Sequence, residues 1–130
     1  MPLTATHSPV VLIVEDHDDT REMLQVLLHV FGCRVLAARN GEEALTLAEE
    51  SRPDLILMDI KMPRLDGLSL TRLIRSHPTL NRVPIVAVTG MTTPQFHRQI
   101  LDAGCNNYLD KPIDVDRLER LVINTDCTIS

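Results

Sequence analysis

The 130-residue sequence predicts a doubly wound α/β domain: a parallel five-stranded sheet with five helices over its two faces. Three observations carry this expectation. Apolar runs of strand length alternate with helical periodicity five times, a pattern that calls for right-handed strand–helix–strand crossovers. The runs Val10–Val14, Leu55–Met58 and Val83–Val88 are apolar throughout, as suits strands covered on both faces. The strands also end on polar residues of different chemical kinds: Glu15–Asp16, Asp59, Thr89 and, after Asn107–Asp110, Lys111. In open sheets of this class, ligands bind in the crevice beyond the carboxyl ends of the strands.

The elements follow in order. A polar tail, expected to be disordered, occupies residues 1–9, and Val10–Val14 is the first strand. Asp18 or Asp19 is expected to cap the first helix, whose Met23, Leu24, Leu27, Leu28 and Phe31 keep helical spacing until Gly32 stops it. Arg34–Ala38 is the second strand, and Asn40 caps a helix from about Gly41 to Glu50 that Arg52–Pro53 breaks. Leu55–Met58 is the third strand, followed by a loop in which Pro63 and Asp66–Gly67 are turn signals. A third helix covers Leu68–Ser76 and the fourth strand Val83–Val88. Thr93 and Pro94 read as the cap and first position of a fourth helix ending before Gly104. Asn107–Asp110 is a short fifth strand, and Asp114 caps a last helix to about Asn124. One domain therefore spans residues 10–124, with a frayed end over 125–130 and no internal repeat.

Composition narrows the function. A net charge of −5, a single tyrosine, no tryptophan and no basic block argue against a nucleic-acid surface. Cys33, Cys105 and Cys127 form no C-x-x-C pair, which points to buried thiols in a reducing, cytoplasmic setting. The N-terminus lacks the charged and apolar regions of a signal peptide, and no apolar stretch reaches the ~18 residues of a membrane span.

Folded as expected, Glu15, Asp16, Asp18, Asp19 and Asp59 gather at or near the crevice. An isolated acidic pair would merely cap a helix. Several carboxylates brought together repel one another unless a cation sits between them. A lysine beside them calls in turn for an anion, and a divalent metal bridging to a phosphoryl group satisfies both. Thr89 offers a hydroxyl donor and acceptor, and Gly90 leaves its surroundings open. Lys111 is pinned between a strand end and Pro112, and the bond joining them is a candidate cis peptide. The histidines His7, His17, His29, His77 and His97 show no ligand spacing, and a hard, oxygen-rich site does not recruit His17, which is expected at the surface. No serine or cysteine nucleophile pattern and no G-x-x-x-x-G-K-[ST] loop is present.

Four segments, Val11–Asp16 (VLIVED), Met58–Gly67 (MDIKMPRLDG), Val88–Gly90 (VTG) and Tyr108–Pro112 (YLDKP), resemble the receiver domain of two-component response regulators, of the single-domain chemotaxis type. The resemblance runs from Val10 to Ile123 and implies a flavodoxin-like strand order, 2-1-3-4-5. It also implies a role for each matching residue. Asp59 is the phosphoacceptor, taking its phosphoryl group from a phosphohistidine on a histidine kinase or phosphotransfer protein. Glu15, Asp16, Asp59 and the main-chain carbonyl of Lys61 hold Mg²⁺. Thr89 hydrogen-bonds the phosphoryl oxygens, Lys111 pairs with them, and Tyr108 is the aromatic switch residue that responds to Thr89. Lys61 and Met91 occupy positions associated with phosphoryl lifetime. The surface of the fourth helix, fifth strand and fifth helix would change on phosphorylation and meet a downstream target protein. The resemblance further implies a monomer or weak dimer acting on neither nucleic acid nor membrane. One departure is Ile113, where the family often has phenylalanine.

Other classes fare less well. An aspartyl-phosphate phosphotransferase or phosphatase usually wants an acidic residue two positions beyond its nucleophile, and this chain has Lys61 there. The protein is therefore expected to catalyse only its own phosphorylation and dephosphorylation. A phosphate-independent scaffold would not need the intact acid pair, Asp59, Thr89 and Lys111. A receiver excised from a larger regulator or hybrid kinase is the other alternative, against which Met1 and the lack of a linker favour a stand-alone chain.

Overall fold

The computed structural model describes residues 8–62 and 65–128, with side chains described as far as Ile123. Residues 1–7, Pro63 and the side chain of Cys127, on which parts of the sequence reading fall, lie outside that description. The elements are β1 (Val10–Val14), α1 (Asp18–Val30), β2 (Arg34–Ala38), α2 (Gly41–Ser51), β3 (Leu55–Asp59), α3 (Gly67–Ser76), β4 (Ile85–Thr89), α4 (Pro94–Ala103), β5 (Asn107–Asp110) and α5 (Val115–Thr128). The strands form one parallel sheet in the order β2-β1-β3-β4-β5.

The unbroken apolar runs are explained by two cores. Alternate residues of a strand face opposite sides of a sheet. Leu12, Val14, Ile56, Met58, Ile85 and Ala87 therefore pack with Ala44, Ala48, Leu70, Ile74 and Ile100 of α2, α3 and α4. Val11, Ile13, Leu55, Leu57, Val86 and Val88 meet Leu24, Leu28, Leu118 and Val122 of α1 and α5 on the other face. Each such buried Leu, Ile or Val contributes roughly 1.5–3 kcal/mol relative to exposure.

Helix caps follow local chemistry. Asn40 and Asp66 accept the backbone N–H groups of Glu43 and Ser69, and Thr93 accepts that of Phe96. Asp114 Oδ1 accepts from Asp116 and Arg117. The first helix differs from expectation. Neither Asp18 nor Asp19 caps it: His17 is the cap position without a side-chain bond, and both aspartates lie in the first turn, where negative charge favours the helix dipole. Asp18 pairs there with Arg21. Met23, expected on the buried face, is exposed, and Leu24 and Leu28 do the packing.

Other boundaries shift for physical reasons. The fourth strand begins at Ile85 rather than Val83, because Pro84 has no N–H for the ladder and only its carbonyl pairs, accepting from Ile56 at 2.9 Å. The third strand extends one residue to Asp59. The last helix continues past Asn124 to Thr128, through a stretch without the glycine or proline that would stop it.

Gly67 lies where the backbone passes close to the end of β3. A Cβ on Gly67 would sit 2.7 Å from Ile60 Cα and 2.9 Å from the Asp59 carbonyl oxygen. At the opposite end of the sheet, Arg75 donates to the carbonyls of Gly104, Asn81 and Val83 and to Asn106 Oδ1, at 2.7–3.2 Å. Asn106 Oδ1 also accepts from Ile85 N, so one guanidinium joins α3 to the entries of β4 and β5. Cys33 and Cys105 are buried. Among the described residues, no helix is long and apolar enough to cross a membrane.

Candidate functional site

The register of the sheet brings its polar ends together. Val14 of β1 pairs with Met58 of β3, and Asp59 with Val88 of β4, so Glu15, Asp16 and Asp59 emerge side by side. Lys111 N–H donates to the Thr89 carbonyl at 2.8 Å, which fixes the end of β5 beside that of β4. The Lys111–Pro112 peptide is cis.

Three of the polar groups are almost wholly inside the protein: Glu15 is 1%, Thr89 2% and Asp59 3% exposed. Glu15 Oε2 accepts the His17 N–H at 3.1 Å. Burial pushes the Glu15 carboxyl above its ordinary range; the His17 N–H opposes this, and the neighbouring Asp59 charge adds to it. Asp16 Oδ1 is buried without a hydrogen-bond partner. Asp59 Oδ1 faces Lys111 Nζ at 3.5 Å and accepts the Lys61 N–H at 3.3 Å.

Ligand atoms of Glu15, Asp16, His17 and Asp59 all lie within 4.8 Å of one another. The buried Asp16 oxygen without a hydrogen bond and the predominance of carboxylates fit a hard divalent cation. His17 is exposed, as expected, yet its Nδ1 lies 3.4 Å from Glu15 Oε2 and 3.5 Å from Asp16 Oδ1. It flanks the acids that it directly follows in the chain. Asp18, paired with Arg21, and Asp19 do not join the cluster.

Beside the acids, Asp59, Lys61, Met62, Thr89, Met91 and Lys111 line a cleft of about 460 Å³. Thr89 Oγ1 is turned toward its own loop, accepting Met91 N–H at 2.9 Å and facing the Met91 carbonyl at 3.4 Å. Tyr108 stands on the neighbouring strand, paired in register with Ala87, while Asp110 pairs with Thr89. Its ring stacks on His97 of α4. The apolar cleft wall, Met62 with Phe96, and the His97 contact escaped the sequence reading; the first had a faint signal in Met62 so close to Asp59, the second none.

Residues 11–123 match the response regulator receiver domain family. The chain belongs to that family. This receiver is 40% identical over 107 residues to the polar-differentiation response regulator DivK of Brucella anthropi, covering 82% of this chain and 87% of that protein. Its structure is similar to that of the chemotaxis response regulator CheY4 of Vibrio cholerae, with a TM-score of 0.86, 28% identity and coverage of 92% and 99% of the two chains. It is also similar to the receiver domain of a Pseudomonas aeruginosa sensor histidine kinase, with a TM-score of 0.83, 36% identity and coverage of 91% and 97%. That structure carries a magnesium ion in its active-site cleft. The expected fold and strand order hold, and the receiver is a component of two-component signalling.

Proposed function

We propose that this receiver is a phosphoacceptor switch that takes a phosphoryl group from the phosphohistidine of a histidine kinase or phosphotransfer protein onto Asp59. The observation that supports it is the position of Asp59, which belongs to the carboxylate cluster and, among the described residues of that cluster, is the one paired with the ammonium of Lys111. An Asp59 oxygen attacks phosphorus, the phosphorus–nitrogen bond of the donor breaks, and its electron pair returns to the leaving imidazole, which takes up a proton. The transferred group spreads negative charge over three oxygens, so the receiver's task is to neutralise and orient it.

Glu15, Asp16, Asp59 and the Lys61 carbonyl would hold Mg²⁺. When bound, that ion would screen the carboxylates and polarise the phosphoryl oxygens. Lys111 supplies a second positive charge and Thr89 a hydroxyl donor. Drawing the Thr89 hydroxyl toward the phosphoryl group would release it from Met91 and open space beside Tyr108. The α4–β5–α5 surface would then be reshaped for a downstream protein partner, a two-state response to a local charge. The reading sets the protein in the cytoplasm as a monomer or weak dimer, without activity on other substrates.

Incubation with acetyl phosphate and Mg²⁺ tests it. Intact-mass measurement should show one added phosphoryl group, absent in Asp59→Asn. An adduct of equal yield in Asp59→Asn would overturn the assignment.

A further inference from the structure

His97 touches the two β5 residues that border the switch. Its ring lies on that of Tyr108 with centroids 3.9 Å apart and planes 16° apart. Its Nε2 lies 2.8 Å from Asp110 Oδ1. Tyr108 and Asp110 are two positions apart on one strand and so share a face. One α4 side chain thus spans both, with only 16% of its own surface exposed. The carboxylate orients the imidazole and holds it in place for the stack. Asp110 is the register partner of Thr89, and α4 is joined to Thr89 by the short loop whose Met91 N–H the Thr89 hydroxyl accepts. The stack therefore holds one of the two residues whose coupled movement the phosphoacceptor reading requires, and its anchor Asp110 is the register partner of the other.

We propose that His97 is a positioning residue of the switch: anchored by Asp110, it holds the Tyr108 ring against α4 in the resting state, and phosphorylation must separate the two rings. The inference rests on the phosphoacceptor reading and adds to it the group that sets how readily the switch moves. A stacked pair of this geometry favours the state that contains it by about two- to tenfold. Because phosphorylation and the ring movement are linked, removing the stack should speed phosphorylation by a similar factor.

The chain provides its own reporter, since Tyr108 is its single tyrosine and it has no tryptophan. Ultraviolet emission is to be recorded for the wild type, His97→Leu and His97→Phe, with Mg²⁺ before and after treatment with acetyl phosphate, alongside intact mass. His97→Leu should differ in emission from the wild type before treatment and coincide with it afterwards, because the phosphorylated form no longer places Tyr108 on residue 97. Its phosphorylation should be faster, and His97→Phe, which restores a stacking surface, should return the rate toward the wild type. An adduct with the emission difference undiminished, or equal rates in all three proteins, overturns the inference alone. Failure of the wild type to gain any adduct removes the phosphoacceptor reading, and this inference with it.

Discussion

The ammonium of Lys111 reaches Asp59 across the end of β4: Nζ and Oδ1 are 3.5 Å apart although 52 positions separate the residues in sequence. The lysine arrives there because its own N–H is held by the Thr89 carbonyl, so its backbone is fixed before its side chain is used. Asp59 is thus the meeting point of an acidic cluster and one cation.

Lys111→Ala should slow modification by acetyl phosphate by on the order of 10²-fold, the usual effect of losing one preorganised group that stabilises developing charge. Lys111→Arg should lie between the two, since a planar guanidinium keeps the charge but not its placement. Time courses of adduct mass at fixed Mg²⁺ measure both.

Mg²⁺ should raise the unfolding midpoint of the wild type by mass action, with about 2.7 kcal/mol of added stability at a hundredfold excess over Kd. Asp16→Ala deletes the buried oxygen that lacks a hydrogen-bond partner and should lose most of that response. Thermal unfolding across a Mg²⁺ series checks it. An unchanged response would reduce Asp16 to a structural residue.

The phosphorylated receiver should hold its phosphoryl group longer than Met91→Ala or Lys61→Asn does. Both side chains line the cleft in which water must approach phosphorus opposite the Asp59 oxygen. The measurement is decay of the adduct in Mg²⁺ after removal of acetyl phosphate, and equal decay in all three proteins would show that neither side chain obstructs the water.

Gly67→Ala should cost about 1–3 kcal/mol, because the added methyl meets backbone atoms of Asp59 and Ile60 that cannot swing aside. The displaced β3 end should also impair phosphorylation. Urea denaturation gives the first quantity.

Most of the candidate site was legible in the sequence because strand ends announce themselves. An apolar run that stops abruptly on Asp59, Thr89 or Glu15 fixes both the position along the strand and the end of the sheet on which the residue sits. Topology then does the gathering, without any need to know a distance. What escaped was set by how helices lie on the sheet. The His97–Tyr108 stack depends on the placement of α4 over β5, and nothing in the spacing of the two residues marks them as partners. The start of β4 was misplaced because Val83 is as apolar and β-branched as its successors, and the missing N–H of Pro84 outweighed that similarity. The first helix was misread because aspartates serve equally well as caps and as first-turn charges, and only the backbone at His17 distinguishes the two.

The bonds made by Arg75 give α4 unequal ends. Its terminal Gly104 is bolted to α3 through the Arg75 Nε bond at 2.9 Å, and the same guanidinium grips Asn106 just before β5. The other end of α4 is capped by Thr93, only four positions after Thr89. A helix clamped at one pole and tugged at the other behaves as a lever turning on a fulcrum. A small pull on the Thr89 loop would then swing the mouth of α4 while leaving its base in place, and amide exchange should slow along α4 from Thr93 toward Gly104.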